Sequence, residues 1–87
     1  MFKATNILNI DHYQITCRLN EKFVRTIDML PILEHHKNLN GIDKLMNFQK
    51  IKEVKIGLMG ELYWENIINT DDEVLDYDVS PEFTYFN

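Results

Sequence analysis

Cysteine is nearly absent. Cys17 stands alone among 87 residues, so no disulfide can form within the chain, which suits a reducing compartment better than a secreted one and makes the cytoplasm the expected location. Glycine occurs only at positions 41, 57 and 60, too sparse a set for a phosphate-cradling loop or a dinucleotide fingerprint. No nucleotide is therefore expected to bind, nor any other cofactor. Ser80 is the only serine and precedes Pro81 among acids, whereas a catalytic serine needs a strained glycine elbow and a setting that favours its deprotonation. Apolar runs stop after a few residues, as in Met29-Leu30-Pro31-Ile32-Leu33, against the roughly 20 that a bilayer crossing requires. Residues 1–7 interleave apolar and polar side chains with no continuous apolar stretch, so they do not read as a targeting segment. Glycine and proline together number five, which leaves no linker, and no internal repeat is visible.

What is present is the composition of a folded chain. Forty-five per cent of the residues are hydrophobic and ten are aromatic, well away from the polar, highly charged corner where chains stay disordered. A chain of this length buries roughly 60–65% of its unfolded surface. We expect a single domain over residues 1–87, with residues 68–87 as its acidic C-terminal segment. Such a core yields on the order of 3–5 kcal/mol unless something staples it. With no staple in view, self-association or a protein partner is an attractive source of further stability.

Charge is unevenly placed. Residues 1–60 carry all nine Lys and Arg against six acids, a balance of +3, while residues 61–87 carry eight acids and no Lys or Arg, a balance of −8. Nucleic-acid binding draws on cations at phosphates, so it could come only from the first two-thirds of the chain; direct nucleic-acid contact is not expected.

Residues 12–19 place Tyr13, Ile15, Cys17 and Leu19 at alternate positions, the period of a half-buried strand. Phe23 to Asp28 is rich in β-formers, and residues 2–10 make a third strand of an antiparallel meander. The period then changes. Leu30 and Leu33 share a helical face, Pro31 is tolerated in a first turn, Asp28 is a suitable N-cap, and Asn40-Gly41 supplies left-handed positions beyond the end. A helix from about Met29 to Lys37 follows, then one helical turn near Asp43 to Phe48. Ile51 to Ile56 and Glu61 to Ile67 read as a second hairpin joined around Met59-Gly60. Beyond Asn69, Asp71-Asp72-Glu73 and Ser80-Pro81-Glu82 favour irregular chain and a closing helical turn, with Ser80 as its cap. The expected fold class is α+β, a small antiparallel sheet of about five strands with one or two short helices.

Few residues suggest chemistry. His35 and His36 are adjacent, about 100° apart on a helix, whereas helical metal ligands sit three or four apart. His12 is too isolated in sequence to join them, and Cys17 points into the sheet, where a free thiol behaves as a small hydrophobe. Asp71 to Asp76 lacks the glycine and terminal glutamate of a calcium loop. No metal site and no catalytic residue is expected, and no enzyme activity. The remaining feature is a mixture of acids with Tyr63, Trp64, Tyr77, Phe83, Tyr85 and Phe86. Aromatics rimmed by one sign of charge mark protein contact surfaces; alternatively, Trp64 and Phe83 complete the core while the acids stay solvated.

The order of these features resembles the domain of unknown function 2442 family of short bacterial proteins. The resemblance spans nearly the whole chain: Tyr13-x-Ile15-x-Cys17-x-Leu19, Phe23 to Asp28, Leu30-Pro31-x-Leu33, Leu45-x-x-Phe48-x-x-Ile51, Tyr63-Trp64-Glu65, and Asp78-Val79-Ser80-Pro81-Glu82-Phe83. Two features depart from the pattern. Asn20-Glu21-Lys22 stands where an Asp-Gly or Asn-Gly turn is usual, and no glycine follows soon after Trp64. The resemblance implies an α+β fold with antiparallel strands and no established activity. It also implies a small neighbouring protein as partner, in pairs read as toxin–antitoxin modules. Some longer relatives append a helix-turn-helix for which this chain has no room.

The functional expectation is thus a non-enzymatic interaction domain, the antitoxin-like half of such a pair, meeting a small basic protein. Asp71, Asp72, Glu73, Asp76 and Asp78 would steer association, and Trp64, Tyr77 and Phe83 would supply buried contact. A self-associating structural or sensor module, a homodimer, is the alternative.

Overall fold

The structure is a computed structural model that describes residues 2–80. Six strands form two three-stranded antiparallel sheets, in the orders β1-β2-β3 and β4-β5-β6, rather than about five strands in one sheet. The α+β class stands.

Alternation builds the first sheet. β1 (Ala4–Asp11), β2 (Gln14–Leu19) and β3 (Phe23–Asp28) follow one another as a meander. The central strand turns Ile15, Cys17 and Leu19 inward, each fully buried. Its outer face is polar, and the hydroxyls of Thr16 and Thr26 meet across the β2–β3 pair at 2.9 Å. Asn20 and Glu21 both have positive φ, 52° and 62°, the twist that a tight hairpin requires. Asn20 also clips β1, accepting from the Lys3 amide at 2.9 Å and donating its own amide to the Lys3 carbonyl at 2.8 Å.

Helix α1 (Met29–His35) is capped by Asp28, whose carboxylate accepts from the Leu30 amide at 3.1 Å. Its buried side chains are Met29, Ile32 and Leu33, an i, i+3, i+4 stripe. Leu30, expected on that face, is exposed. A 3-10 turn over Ile42–Met46 follows, entered through Gly41 at φ 104°. A β-carbon at Gly41 would lie 2.1 Å from the Ile67 carbonyl oxygen, so glycine lets this turn press against the second sheet.

Of the expected strand from Ile51 to Ile56 only the last two residues are strand; Ile51 ends a helix and residues 52–54 turn the chain. Asn47 accepts from the Gln49 amide and caps α2 (Phe48–Ile51), leaving only Lys55–Ile56 as β4. That local cap competes with strand pairing, and Ile51 is held from outside as well, its carbonyl accepting from the Trp64 indole at 3.0 Å.

β5 (Leu62–Asn69) pairs with β6 (Val74–Val79), where irregular chain was expected. Tyr77 and Val79 point inward and Asp76 and Asp78 outward, so the acids lie on the solvent side of a strand rather than in a loop. Residues 70–73 make the turn. The Thr70 hydroxyl donates to the Glu73 carbonyl at 2.8 Å and accepts from the Asp72 and Glu73 amides. The helical turn predicted at Ser80-Pro81-Glu82 lies, past Ser80, outside the described residues.

One hydrophobic cluster takes side chains from both sheets and from the helices between them. The sheets also meet through backbone, the Ala4 amide donating to the Gly60 carbonyl at 2.9 Å. Among the described residues, no helix is long and apolar enough to cross a membrane.

Candidate functional site

Of the residues expected to contact a partner, two are in the core. Trp64 is wholly buried, with its indole nitrogen donating to Ile51 and its ring stacked on Tyr77 at 6.1 Å between centroids. Tyr77 is 5% exposed, and its hydroxyl is hydrogen-bonded to His36 Nδ1. Burial, with a smaller effect from the Asp78 charge, pushes the Tyr77 hydroxyl up to about 12. These aromatics join the sheet to α1 and α2 and are placed to pack rather than to be presented. Phe83 lies outside the described residues.

The five acids separate into two groups. Asp71, Asp72 and Glu73 are exposed at the β5–β6 turn, while Asp76 and Asp78 lie exposed on the outer face of β6. Asp76 and Asp78 lie three and five residues beyond Glu73, roughly 10 and 16 Å along the chain at about 3.3 Å per residue.

Asp76 has a structural partner. Strand pairing jumps from Trp64–Tyr77 to Ile68–Leu75, so Glu65, Asn66 and Ile67 oppose the single residue Asp76. Asn66 takes φ 56° in this bulge. Its amide donates to the Asp76 carboxylate at 3.0 Å. Lys44, reaching from the 3-10 turn, donates to the Ile67 carbonyl at 3.1 Å and to the Asn69 side chain at 3.4 Å. A side-chain anion and a side-chain cation thus satisfy backbone groups that the bulge removes from the ladder.

Register places Lys55, Tyr63 and Asp78 in one cross-strand row on the outer face. Lys55 is paired with Glu65 beside it, and that hydrogen bond, followed by the Glu65 charge, raises its ammonium above the usual lysine value. Among the described residues Glu61, Asp76 and Asp78 form no salt bridge, although the Asp76 charge also acts on Lys55. They rim an open groove of about 570 Å³ together with Tyr63, Leu58 and Met59. Leu58 is wholly exposed and Met59 is 60% exposed. The loop that carries them is closed by glycine and carboxylate. The Gly60 amide donates to the Gly57 carbonyl at 3.0 Å, and the Glu61 carboxylate accepts from the Met59 amide at 3.0 Å.

Sequence reasoning did not assign this groove. Its signals were an apolar Leu58-Met59 pair between two glycines, and Tyr77 and Val79 alternating with Asp76 and Asp78. The other residues considered for chemistry are dispersed. Cys17 is buried, and that burial pushes its thiol up from the ordinary value. His12 packs at a tilt against Phe48 with centroids 4.5 Å apart, whereas His35 and His36 neighbour each other at the end of α1, their rings 5.2 Å apart. Among the described residues, no three His, Cys, Asp or Glu side chains are grouped to hold a metal ion.

No protein-family model, curated protein or solved structure matches this chain. The likeness to the domain of unknown function 2442 family therefore rests on the sequence features alone.

Proposed function

We propose that this chain is a non-enzymatic interaction domain that meets a small basic protein, as the antitoxin-like member of a pair. The observation that carries this reading is the outer side of the β5–β6 hairpin. It presents Glu61, Asp76 and Asp78 at one end and Asp71, Asp72 and Glu73 at the other, while residues 61–80 contain no Lys or Arg. Like charges spread over one face raise the encounter rate with a cationic surface and suppress acidic partners. Neutral amides at 71, 72 and 73 in one variant, and at 76 and 78 in another, test it. Asp76→Asn retains the acceptor that Asn66 uses. A basic protein recovered from cell extract should associate more slowly with both variants, and more so at low salt. Unchanged association rates with both variants would remove the assignment.

Self-association has one specific observation in its favour. β6 is an edge strand of the described sheet, with Val74 and Leu75 exposed, and such edges invite pairing. A concentration-independent monomer in light scattering would exclude it.

A further inference from the structure

A single exposed leucine says little, but adjoining exposed apolar side chains rimmed by polar groups mark interaction surfaces. Leu58 and Met59 adjoin in this way, and both wall a groove whose other members are the aromatic ring of Tyr63 and the carboxylates of Glu61, Asp76 and Asp78. The groove lies within the size range of small-ligand sites, about 300–1,000 Å³. Its chemistry is directional. Two flexible apolar side chains suit an aliphatic stem, a tyrosine face suits a planar cation above it, and carboxylates suit a guanidinium fork. Lys55, the nearest cation in the register, is held by Glu65; Glu61 and Asp76 each use one carboxylate oxygen on a backbone amide, so their second oxygens and Asp78 face an incoming group.

We infer that this groove takes an arginine side chain from an apolar, basic segment of a protein partner. Leu58 and Met59 cover the stem, and Glu61, Asp76 and Asp78 meet the guanidinium. The inference rests on the reading of the chain as a binder of basic protein and names what the binder recognises. A neutral partner gains nothing from the three carboxylates, and an acidic one is repelled by them. A lysine offers a compact, strongly hydrated charge that lacks the fork and stacks less well, so arginine is the occupant the geometry favours.

The test uses the full chain, labelled with nitrogen-15, titrated with a hexapeptide alternating arginine and leucine. Parallel titrations use the lysine peptide and an uncharged citrulline peptide. Saturable shifts at the amides of Leu58, Met59, Glu61 and Tyr63 are expected with the arginine peptide, with weaker ones for lysine and none for citrulline. A Leu58→Ser/Met59→Ser variant should lose about tenfold or more in affinity, as removal of a central apolar anchor does. Neither side chain is in the core, so this variant folds, and an unchanged spectrum outside the loop verifies it. Shifts confined to residues 70–73, abolished by amides at 71, 72 and 73, would overturn the groove while leaving the acidic-interface reading in place. Absence of shifts with both cationic peptides at low salt would overturn both. Movement of the groove amides with protein concentration alone would assign the groove to a second copy and overturn the arginine inference.

Discussion

The two sheets share strand count and antiparallel order but are specified in different ways. In the first, β1 meets β2 with two register shifts near the edge strand, but β2 pairs with β3 without a break, and the inward residues of β2 follow strict alternation through Ile15, Cys17 and Leu19. In the second, inward positions run Leu62, Trp64, then Ile67, because the bulge at residues 65–67 shifts the phase by one. The first sheet is defined by its own alternation and turns. The second depends on groups from outside it: Lys44 and Gly41 at the 3-10 turn, and the Ile51 carbonyl at the end of α2. A sheet assembled from distant contacts can carry an acidic outer face, because its inner face is held by a large aromatic and by neighbouring elements rather than by cross-strand pairs alone.

Substituting the residue that ties the second sheet to the helices gives the largest expected effect. Trp64→Ala should cost about 3–5 kcal/mol, as loss of a fully buried aromatic does, and should lower the urea midpoint accordingly. Since both sheets contribute to one hydrophobic cluster, amide exchange in β2 should accelerate in step with that in β5. If β2 stays protected while β5 opens, the sheets are separate cooperative units and the comparison has to be redrawn.

A smaller effect follows from Tyr77. Its hydroxyl is raised from 10.0 to about 12 in the fold, so the native state favours the protonated form. That contribution is whole below the unfolded value of 10.0 and is lost as pH rises toward about 12. The urea midpoint should therefore fall over this window, and Tyr77→Phe should fall less steeply, Cys17 and the lysines being common to both proteins. Parallel slopes for the two would mean that the hydroxyl is not buried between α1 and β6.

The smallest effect is a gain, and it belongs to the first sheet. Glu21 holds φ 62°, a conformation that costs a side-chain-bearing residue about 1 kcal/mol or more. Glu21→Gly should stabilise by about 0.5–1 kcal/mol after the added freedom of the unfolded chain is set against it. A neutral or negative result in thermal unfolding would show that Glu21 contributes more than its turn geometry.

Much of the first half was legible because its information is local. β2 alternates, Asp28 precedes a helix start, and Gly41 takes a left-handed turn, although it opens the 3-10 segment and does not end α1, which stops at His35; each works through neighbours in sequence. The cap at Asn47 was local too, but Val54-Lys55-Ile56 carries the alternation of a strand that Ile51 was read into, and the helix end at Ile51 is sustained by a tryptophan thirteen residues away. β6 was obscured by its acids. Composition suggests a loop for such a segment, and only pairing with β5 shows that Asp76 and Asp78 occupy the outward positions of a strand.

The sequence by itself determined the α+β class, the meander, the first helix and its cap, and an acidic final third, because periodicity, capping and charge are properties of adjacent residues. Only the tertiary structure decided that Trp64 and Tyr77 belong to the core, that the acids separate into a turn cluster and a groove, and that Leu58 and Met59 stand beside that groove. Those outcomes depend on strand register and on a bulge stabilised by Lys44 and Asp76, and register arises only when residues distant in the chain are brought into contact.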